Sequence, residues 1–321
     1  MIVVTGAAGF IGSCLVTRLN AAHLHEIVVV DNFSVGKKQA NIVGKKVKEF
    51  VDRQDFFIWL DKHYEEVEFI FHLGARTDPT EVNREVLDLL NLHYSKTLWN
   101  ACCEYQIPLI YASDAETYGL GTLGFDDDES LLPLLRPLHP YAAAKHEFDQ
   151  WVLAQTGKPF FWAGLKFFHV YGPNEYHKGR AASEVYQAYQ SIQDDGNVTL
   201  LRSQNPEYKD GEQLRDFVYV KDVVEVLFWL MQHRKNSGIY NVGSGQSHTF
   251  LHMAFTLFTA MGQEINIDFR DMPEDLREKY PYRVKANLQK LQSIGYDRPF
   301  HTLQEGIQDY VQTYLLPNAH Y

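Results

Sequence analysis

The first dozen residues constrain this chain more than any other stretch. Ile2-Val3-Val4-Thr5 is short, β-branched and apolar, the pattern of a strand buried on both faces. It runs directly into Gly6-Ala7-Ala8-Gly9-Phe10-Ile11-Gly12, and an amphipathic pattern over residues 11–19 then predicts a helix. A G-x-x-G-x-x-G loop between strand and helix gives each glycine its own task. Gly6 permits a tight turn, Gly9 lets backbone approach a pyrophosphate, and Gly12 lets the helix pack against the strand. Unpaired N–H groups and the helix dipole then favour phosphate at the helix start. Asp31 ends the next apolar strand, about 20 residues on, where an acid suits the ribose 2′-hydroxyl of NAD.

The same alternation continues. Residues 26–31, 68–72 and 108–112 read as apolar strands, each after a helical stretch, and 160–170 reads as a later strand of the same sheet. Strands alternating with helices predict an α/β fold, a doubly wound parallel (Rossmann) sheet with right-handed crossovers. Beyond residue 170 the texture changes, with Gly, Pro, Asn and Lys between 172 and 180 and a polar insertion over 203–213. Residues 215–220 read as a strand and 223–233 as a helix on the sheet. The predicted organisation is a dinucleotide-binding domain from 1–170 plus about 214–245, with a smaller α/β substrate lobe from about 171–213 plus 246–321.

Composition narrows the class. The 321 residues suit about two domains. With 41 acidic and 30 basic residues the net charge is −11, which argues against a nucleic-acid or anionic-lipid partner. The apolar run 226–231 is too short to span a bilayer, so no membrane partner is expected. Cys14, Cys102 and Cys103 offer neither a disulfide framework nor zinc spacing, and no metal site is expected. No basic stretch precedes an apolar one at the start. A cytoplasmic protein is therefore expected, with the Asn197-Val198-Thr199 sequon unglycosylated.

Two further patterns bear on chemistry. Asn32, Lys37, Lys38 and Arg53 lie where a 2′-phosphate needs neutral or cationic partners, and they favour NADP over NAD; the alternative is that the lysines only solvate a loop. Tyr141 and Lys145 form a Y-x-x-x-K pair, four residues apart and so on one helix face. A phenol cannot take an alcohol proton at neutral pH by itself, and a neighbouring ammonium stabilises the tyrosinate.

Taken together, Gly6/Gly9/Gly12, His72-Leu73-Gly74-Ala75, Tyr118-Gly119, Tyr141/Lys145, Val170-Tyr171-Gly172-Pro173 and Arg215-Asp216-Phe217 resemble the extended short-chain dehydrogenase/reductases over nearly the whole chain. More narrowly, Asp31-Asn32, Tyr171-Gly172-Pro173-Asn174-Glu175 with His177-Lys178-Gly179, and 215–220 resemble the ADP-glyceromanno-heptose 6-epimerases. That resemblance implies tightly held NADP and a nucleotide sugar of lipopolysaccharide core synthesis. It implies transient oxidation at C6 to a ketone, which presents its other face and is reduced again. Tyr141 and Lys178 would be the two acid/base groups, with Lys145 tuning Tyr141. Phe10, Ile11, Asp31, Asn32, Lys38, Arg53, Gly74, Ala75 and Asn91, with Tyr141 and Lys145 themselves, would join the glycines around the cofactor. His169, Lys178, Arg180, Arg215 and Tyr280 would meet the substrate, Arg215 at its diphosphate. The alternative for Arg215 is a structural pair with Asp216 or Asp222. A homo-oligomer is also expected, through the helices over 87–103 and after Tyr141.

The chain departs from that family in its pocket. Asp114 stands four residues before Tyr118, where the family carries Ser or Thr as third member of the catalytic set. An ionised carboxylate cannot donate to a substrate oxygen, and its charge opposes Lys145 in lowering the pKa of Tyr141. Ser113 should point to the other side of the strand. Glu116 stands where related sugar-nucleotide dehydratases carry a working glutamate, and His169 replaces an asparagine. Ala142, Ala143, Ala144 and Ala181 are unusually small. Drift accounts for such changes, and so does remodelling by divergence or engineering around Asp114, Glu116 and His169. The competing expectations are other chemistry such as dehydration, or a scaffold that holds cofactor with little epimerase activity.

Overall fold

The computed structural model describes residues 1–77, 81 and 83–321. In chain order its strands are β1 (Ile2–Thr5), β2 (Ile27–Asp31), β3 (Glu49–Asp52), β4 (Phe69–His72), β5 (Leu109–Asp114), β6 (Trp162–Phe167), β7 (His169–Tyr171), β8 (Val198–Leu201), β9 (Leu214–Arg215), β10 (Phe217–Tyr219), β11 (Gly238–Val242), β12 (His248–Thr249) and β13 (Ile267–Arg270). The helices used below are α1 (Phe10–Ala21), α2 (Phe56–His63), α3 (Tyr94–Glu104), α4 (Pro140–Ala154), α5 (Glu184–Asp195), α6 (Val220–His233) and α7 (Phe250–Met261).

Among the described residues, seven strands form one sheet in the order β11-β6-β5-β4-β1-β2-β3, every neighbouring pair parallel. Val3, Val4, Val28, Val29, Val30, Ile70 and Phe71 are fully buried, as expected where helices cover both faces. One apolar cluster joins α1 and α6 to one face, and a second joins α2, α3 and α4 to the other. Strand order reverses at β1, which lies between β2 and β4. Open α/β sheets bind ligands at the carboxyl ends of the strands flanking such a reversal. No helix among the described residues is long and apolar enough to cross a membrane.

Two predicted strands prove to be broken. The stretch 160–170 divides into β6, in the main sheet, and β7, which pairs with β10. The stretch 215–220 divides at Asp216: β9 pairs antiparallel with β12, while β10 turns to β7. The physical reason is the buried Asp216 carboxylate, which accepts from the N–H groups of Ser244, Gly245 and Ala286 and from Ser244 Oγ at 2.6–3.0 Å. A third two-stranded sheet, β8 with β13, lies in the later part of the chain.

Candidate active site

The glycine loop is as crowded as its three glycines suggested. Gly6 has φ +67°, and a Cβ there would lie 2.6 Å from Gly74 Cα. A Cβ on Gly12 would lie 2.2 Å from the Gly6 carbonyl oxygen. Gly9 starts α1 with no side chain capping its first turn, so the twelve-residue helix opens toward any anion placed there. A dinucleotide pyrophosphate therefore fits this cradle. Gly74 closes the other side, its N–H donating to Thr5 Oγ1 at 3.2 Å, with the partly buried Ala75 beside it.

Asp31 is 5% exposed and multiply tied. Its Oδ2 accepts from Ala8 N–H at 2.9 Å, and its Oδ1 from Asn32 N–H at 2.7 Å and Lys38 Nζ at 3.2 Å. Arg53 joins the same edge, its N–H bonded to the Asp31 carbonyl at 3.0 Å. Asn91 is buried, and its amide clamps the Arg76 backbone at 2.7 and 3.0 Å, shaping the loop behind the cradle. His72 bridges Thr5 and Ser95 at 2.7 and 2.9 Å, and burial with Lys145 nearby pulls its pKa down to about 3.

The Tyr141 and Lys145 side chains meet the end of β5. Tyr141 OH donates to Asp114 Oδ2 at 3.2 Å, and Lys145 Nζ donates to the Ala112 carbonyl at 2.7 Å. Asp114 caps the turn Ala115–Tyr118, its Oδ1 accepting from Glu116 N–H at 2.8 Å. Burial and the Glu116 charge push the Asp114 pKa up to about 7. Burial followed by the Asp114 and Glu116 charges raises the Tyr141 phenol well above its ordinary value. Burial lowers the Lys145 ammonium to about 8, against the pull of Asp114 and Asp149. Asp114 therefore raises the pKa of Tyr141, as its charge requires, but near neutrality it is itself only partly ionised.

Glu116 Oε2 lies 3.0 Å from His139 Nε2. Burial works to raise the Glu116 carboxyl, but His139, His169 and Lys178 outweigh it and hold its pKa below the usual range. The Lys178 ammonium stands over the Phe10 ring, 5.5 Å from its centroid, joining the turn Tyr176–Ala181 to the start of α1. His169 Nδ1 lies 3.6 Å from Glu184 Oε1 on α5, and burial lowers its pKa despite that neighbour. Arg180 is exposed. Arg215 pairs with neither acid considered above. Its guanidinium donates to the Leu214 and Pro281 carbonyls at 2.9 and 2.7 Å and stacks 4.6 Å from the Tyr280 ring centroid, while Asp222 is taken by His301.

Several residues that organise the site carry no motif. Lys166 and Asp149 form a fully buried ion pair at 2.7 Å, joined by Ser113 Oγ at 2.6 Å, Tyr111 OH at 3.0 Å and Thr117 Oγ1 at 2.6 Å. Ser113 thus faces this network and leaves the Tyr141 oxygen to Asp114. Asn41, also buried, donates through Nδ2 to the Ala8 and Asn174 carbonyls at 3.0 Å each and lies 3.2 Å from His177 Nδ1. His139 could have been suspected from Pro140, since proline at the first helical position marks the residue before it as the cap.

The profile of the NAD dependent epimerase/dehydratase family matches residues 2–243. The ADP-L-glycero-D-manno-heptose-6-epimerase of Fusobacterium nucleatum is 42% identical to this chain, with 100% of both chains aligned. Among solved structures, the Helicobacter pylori ADP-L-glycero-D-manno-heptose-6-epimerase superposes with a TM-score of 0.81 at 26% identity, covering 97% of this chain and 95% of that one. The Thermus thermophilus UDP-glucose 4-epimerase, solved in complex with NAD, gives a TM-score of 0.77 at 31% identity and 97% coverage of both. Glycine cradle, Tyr141/Lys145 pair and whole-length similarity agree: the chain belongs to the NAD dependent epimerase/dehydratase family.

Proposed function

We propose that this enzyme inverts C6 of ADP-glyceromanno-heptose and holds NADP to do so. The observation that carries the reading is the end of β5, where Tyr141 OH lies 3.2 Å from Asp114 Oδ2 and Lys145 Nζ lies 2.7 Å from the Ala112 carbonyl, while Lys178 comes from a different element, the turn Tyr176–Ala181, and stands over Phe10 at the start of α1. Tyr141 and Lys178 are the two proton-handling groups that epimerisation calls for: one takes the C6 hydroxyl proton as the carbon is oxidised, and the other gives a proton to the ketone oxygen as it is reduced from its opposite face. The whole-length likeness to the Fusobacterium enzyme supports the substrate.

When bound, the dinucleotide would supply reversible hydride transfer to and from the sugar carbon. Gly6, Gly9, Gly12, Phe10 and Ile11 would hold its pyrophosphate; Asn32, Lys38 and Arg53 would meet a 2′-phosphate. Lys38, held on Asp31 Oδ1 at 3.2 Å, offsets the Asp31 charge at the edge where a 2′-phosphate would lie, which favours NADP. Tyr141 holds or takes the proton at its phenol oxygen, Lys145 supplies the nearby positive charge, and Lys178 serves the other face. Arg215 and Tyr280 form a stacked platform for the nucleotide diphosphate, with His169 and Arg180 toward the sugar. Residues 1–170 with 214–245 would carry the dinucleotide, and 171–213 with 246–321 the sugar, in a cytoplasmic homo-oligomer.

Incubation with ADP-heptose, followed by analysis of configuration at C6, should yield both epimers. An unchanged sugar would overturn the reading. Nucleotide released by denaturation should have the mass of NADP(H), and recovery of NAD(H) alone would reject that part. Light scattering should give a mass above the monomer's 37.1 kDa. A second reading makes Glu116, kept ionised by His139, the base of a dehydration, and a dehydrated product in the same incubation identifies it.

A further inference from the structure

Residues 319–321 lie against the junction of the glycine loop and the turn Tyr176–Ala181, far in sequence from everything they touch there. Tyr321 pairs with both ends of the Asn174 side-chain amide: its N–H donates to Asn174 Oδ1 at 2.9 Å, and Asn174 Nδ2 donates to its main-chain oxygen at 2.9 Å. That oxygen also accepts from Thr17 Oγ1 on α1 at 3.0 Å. The Ala319 carbonyl accepts from Tyr176 OH at 2.9 Å, and His320 Nδ1 lies 3.0 Å from Asn41 Oδ1. The Tyr321 ring packs edge-on against Tyr314, centroids 5.9 Å apart, with the Lys221 ammonium 5.1 Å from its own centroid. Two of these partners hold elements of the active site. Asn174 is fully buried at φ +74°, a backbone angle that suits Asn better than most side chains, just before the turn that carries Lys178. Asn41 Nδ2 donates to the Ala8 carbonyl in the glycine loop and to the Asn174 carbonyl, at 3.0 Å each. With its nitrogen so committed, Asn41 presents only an oxygen to His320, and that oxygen only accepts, so the shared proton belongs to His320 Nδ1. A donor at this point reinforces the way the Asn41 amide is turned. With the amide reversed, its oxygen would face two carbonyl oxygens.

We propose that residues 319–321 are a strap that positions Lys178 against the glycine loop, with His320 as the latch that holds the Asn41 amide in its working orientation. This rests on the reading of Lys178 as the second proton-handling group. His320 is a positioning residue: it acts through Asn41 on the Ala8 and Asn174 carbonyls, and Tyr321 acts on Asn174 directly. The Lys178 ammonium, 5.5 Å from the Phe10 ring centroid at the start of α1, marks the spacing that the strap sets.

The test reads Lys178 without turnover. The full chain is labelled with 13C at the lysine ε carbons, and Lys178 is assigned by its loss in Lys178→Arg. Its ε protons feel the ring current of Phe10, so their shift reports the distance between the turn and the glycine loop. Three variants at position 320 are compared at equal nucleotide loading. His320→Asn places an N–H the same number of bonds from Cβ as the ring nitrogen, and should leave the signal in place. His320→Leu keeps the branched shape of asparagine without a donor, and should move the signal toward that of an exposed lysine. His320→Asp sets an acceptor against Asn41 Oδ1 and should move it further. Position 320 is exposed, so Tm should stay within about 1 °C in all three. Where epimerisation is measurable, kcat should fall on the order of tenfold in His320→Leu and recover in His320→Asn while KM holds, within the ~10²-fold that a 1 Å misplacement costs. A Lys178 signal unmoved in both His320→Leu and His320→Asp overturns the strap, and so does equal movement in all three variants. The epimerase reading fails separately, as unchanged ADP-heptose in every form, whatever the Lys178 signal does.

Discussion

Replacing Asp149 by Asn should destabilise the fold by about 3–5 kcal/mol, the usual loss when one partner of a buried ion pair is removed. The geometry supports the upper half of that range. Asp149 and Lys166 are both 0% exposed, and the Asp149 carboxylate also accepts from Tyr111 and Ser113, so the change weakens three contacts at once. With an unfolding entropy of about 2 cal/mol/K per residue, a chain of 321 residues loses about 1.5 °C per kcal/mol, hence roughly 5–7 °C in Tm. Urea unfolding at pH 7 and calorimetry measure both quantities. The double variant Asp149→Leu/Lys166→Met removes both charges and should recover the part of the loss that lies in the unpaired charge, while Tyr111 and Ser113 still lack their acceptor. A single variant that loses less than about 1 kcal/mol, or a double variant worse than the single, would refute the reasoning.

Asp114→Ser should leave epimerisation near its original rate at pH 6 and raise it on the order of tenfold at pH 8.5, because a carboxyl with pKa about 7 donates below that pH and is ionised above it, while serine donates at both; a pH–rate profile of both forms checks the sign. Tyr141→Phe should lower kcat by about 10²–10⁴ in the C6 assay, the ordinary contribution of a positioned acid/base group. Gly12→Ala should strip the dinucleotide, since its Cβ would lie 2.2 Å from the Gly6 carbonyl oxygen, and the ratio of released nucleotide to protein reads this directly.

What the sequence discloses here is whatever is encoded locally. Val28, Val29 and Val30 mark a doubly covered strand by composition alone, and Tyr141 shares Lys145's face because four residues make slightly more than one helical turn. The break at Asp216 was not legible, because the donors that satisfy it come from residues 244, 245 and 286. Lys166 reads as a polar interruption of an apolar strand until Asp149, one helix away, is seen beside it. His139 and Glu116 are 23 residues apart across a loop, and no periodicity links them. The upward shift of the Asp114 carboxyl comes first from burial, which sequence does not reveal.

Asn41 has a consequence for the genetics of the enzyme. One amide nitrogen serves the Ala8 carbonyl in the glycine loop and the Asn174 carbonyl beside His177 and Lys178. By linkage, whatever coupling Asn41 carries between a ligand at one loop and a ligand at the other acts equally in both directions. An allele at position 41 would therefore be pleiotropic: it loosens the glycine loop and the turn that bears Lys178 together, and selection on either acts on both.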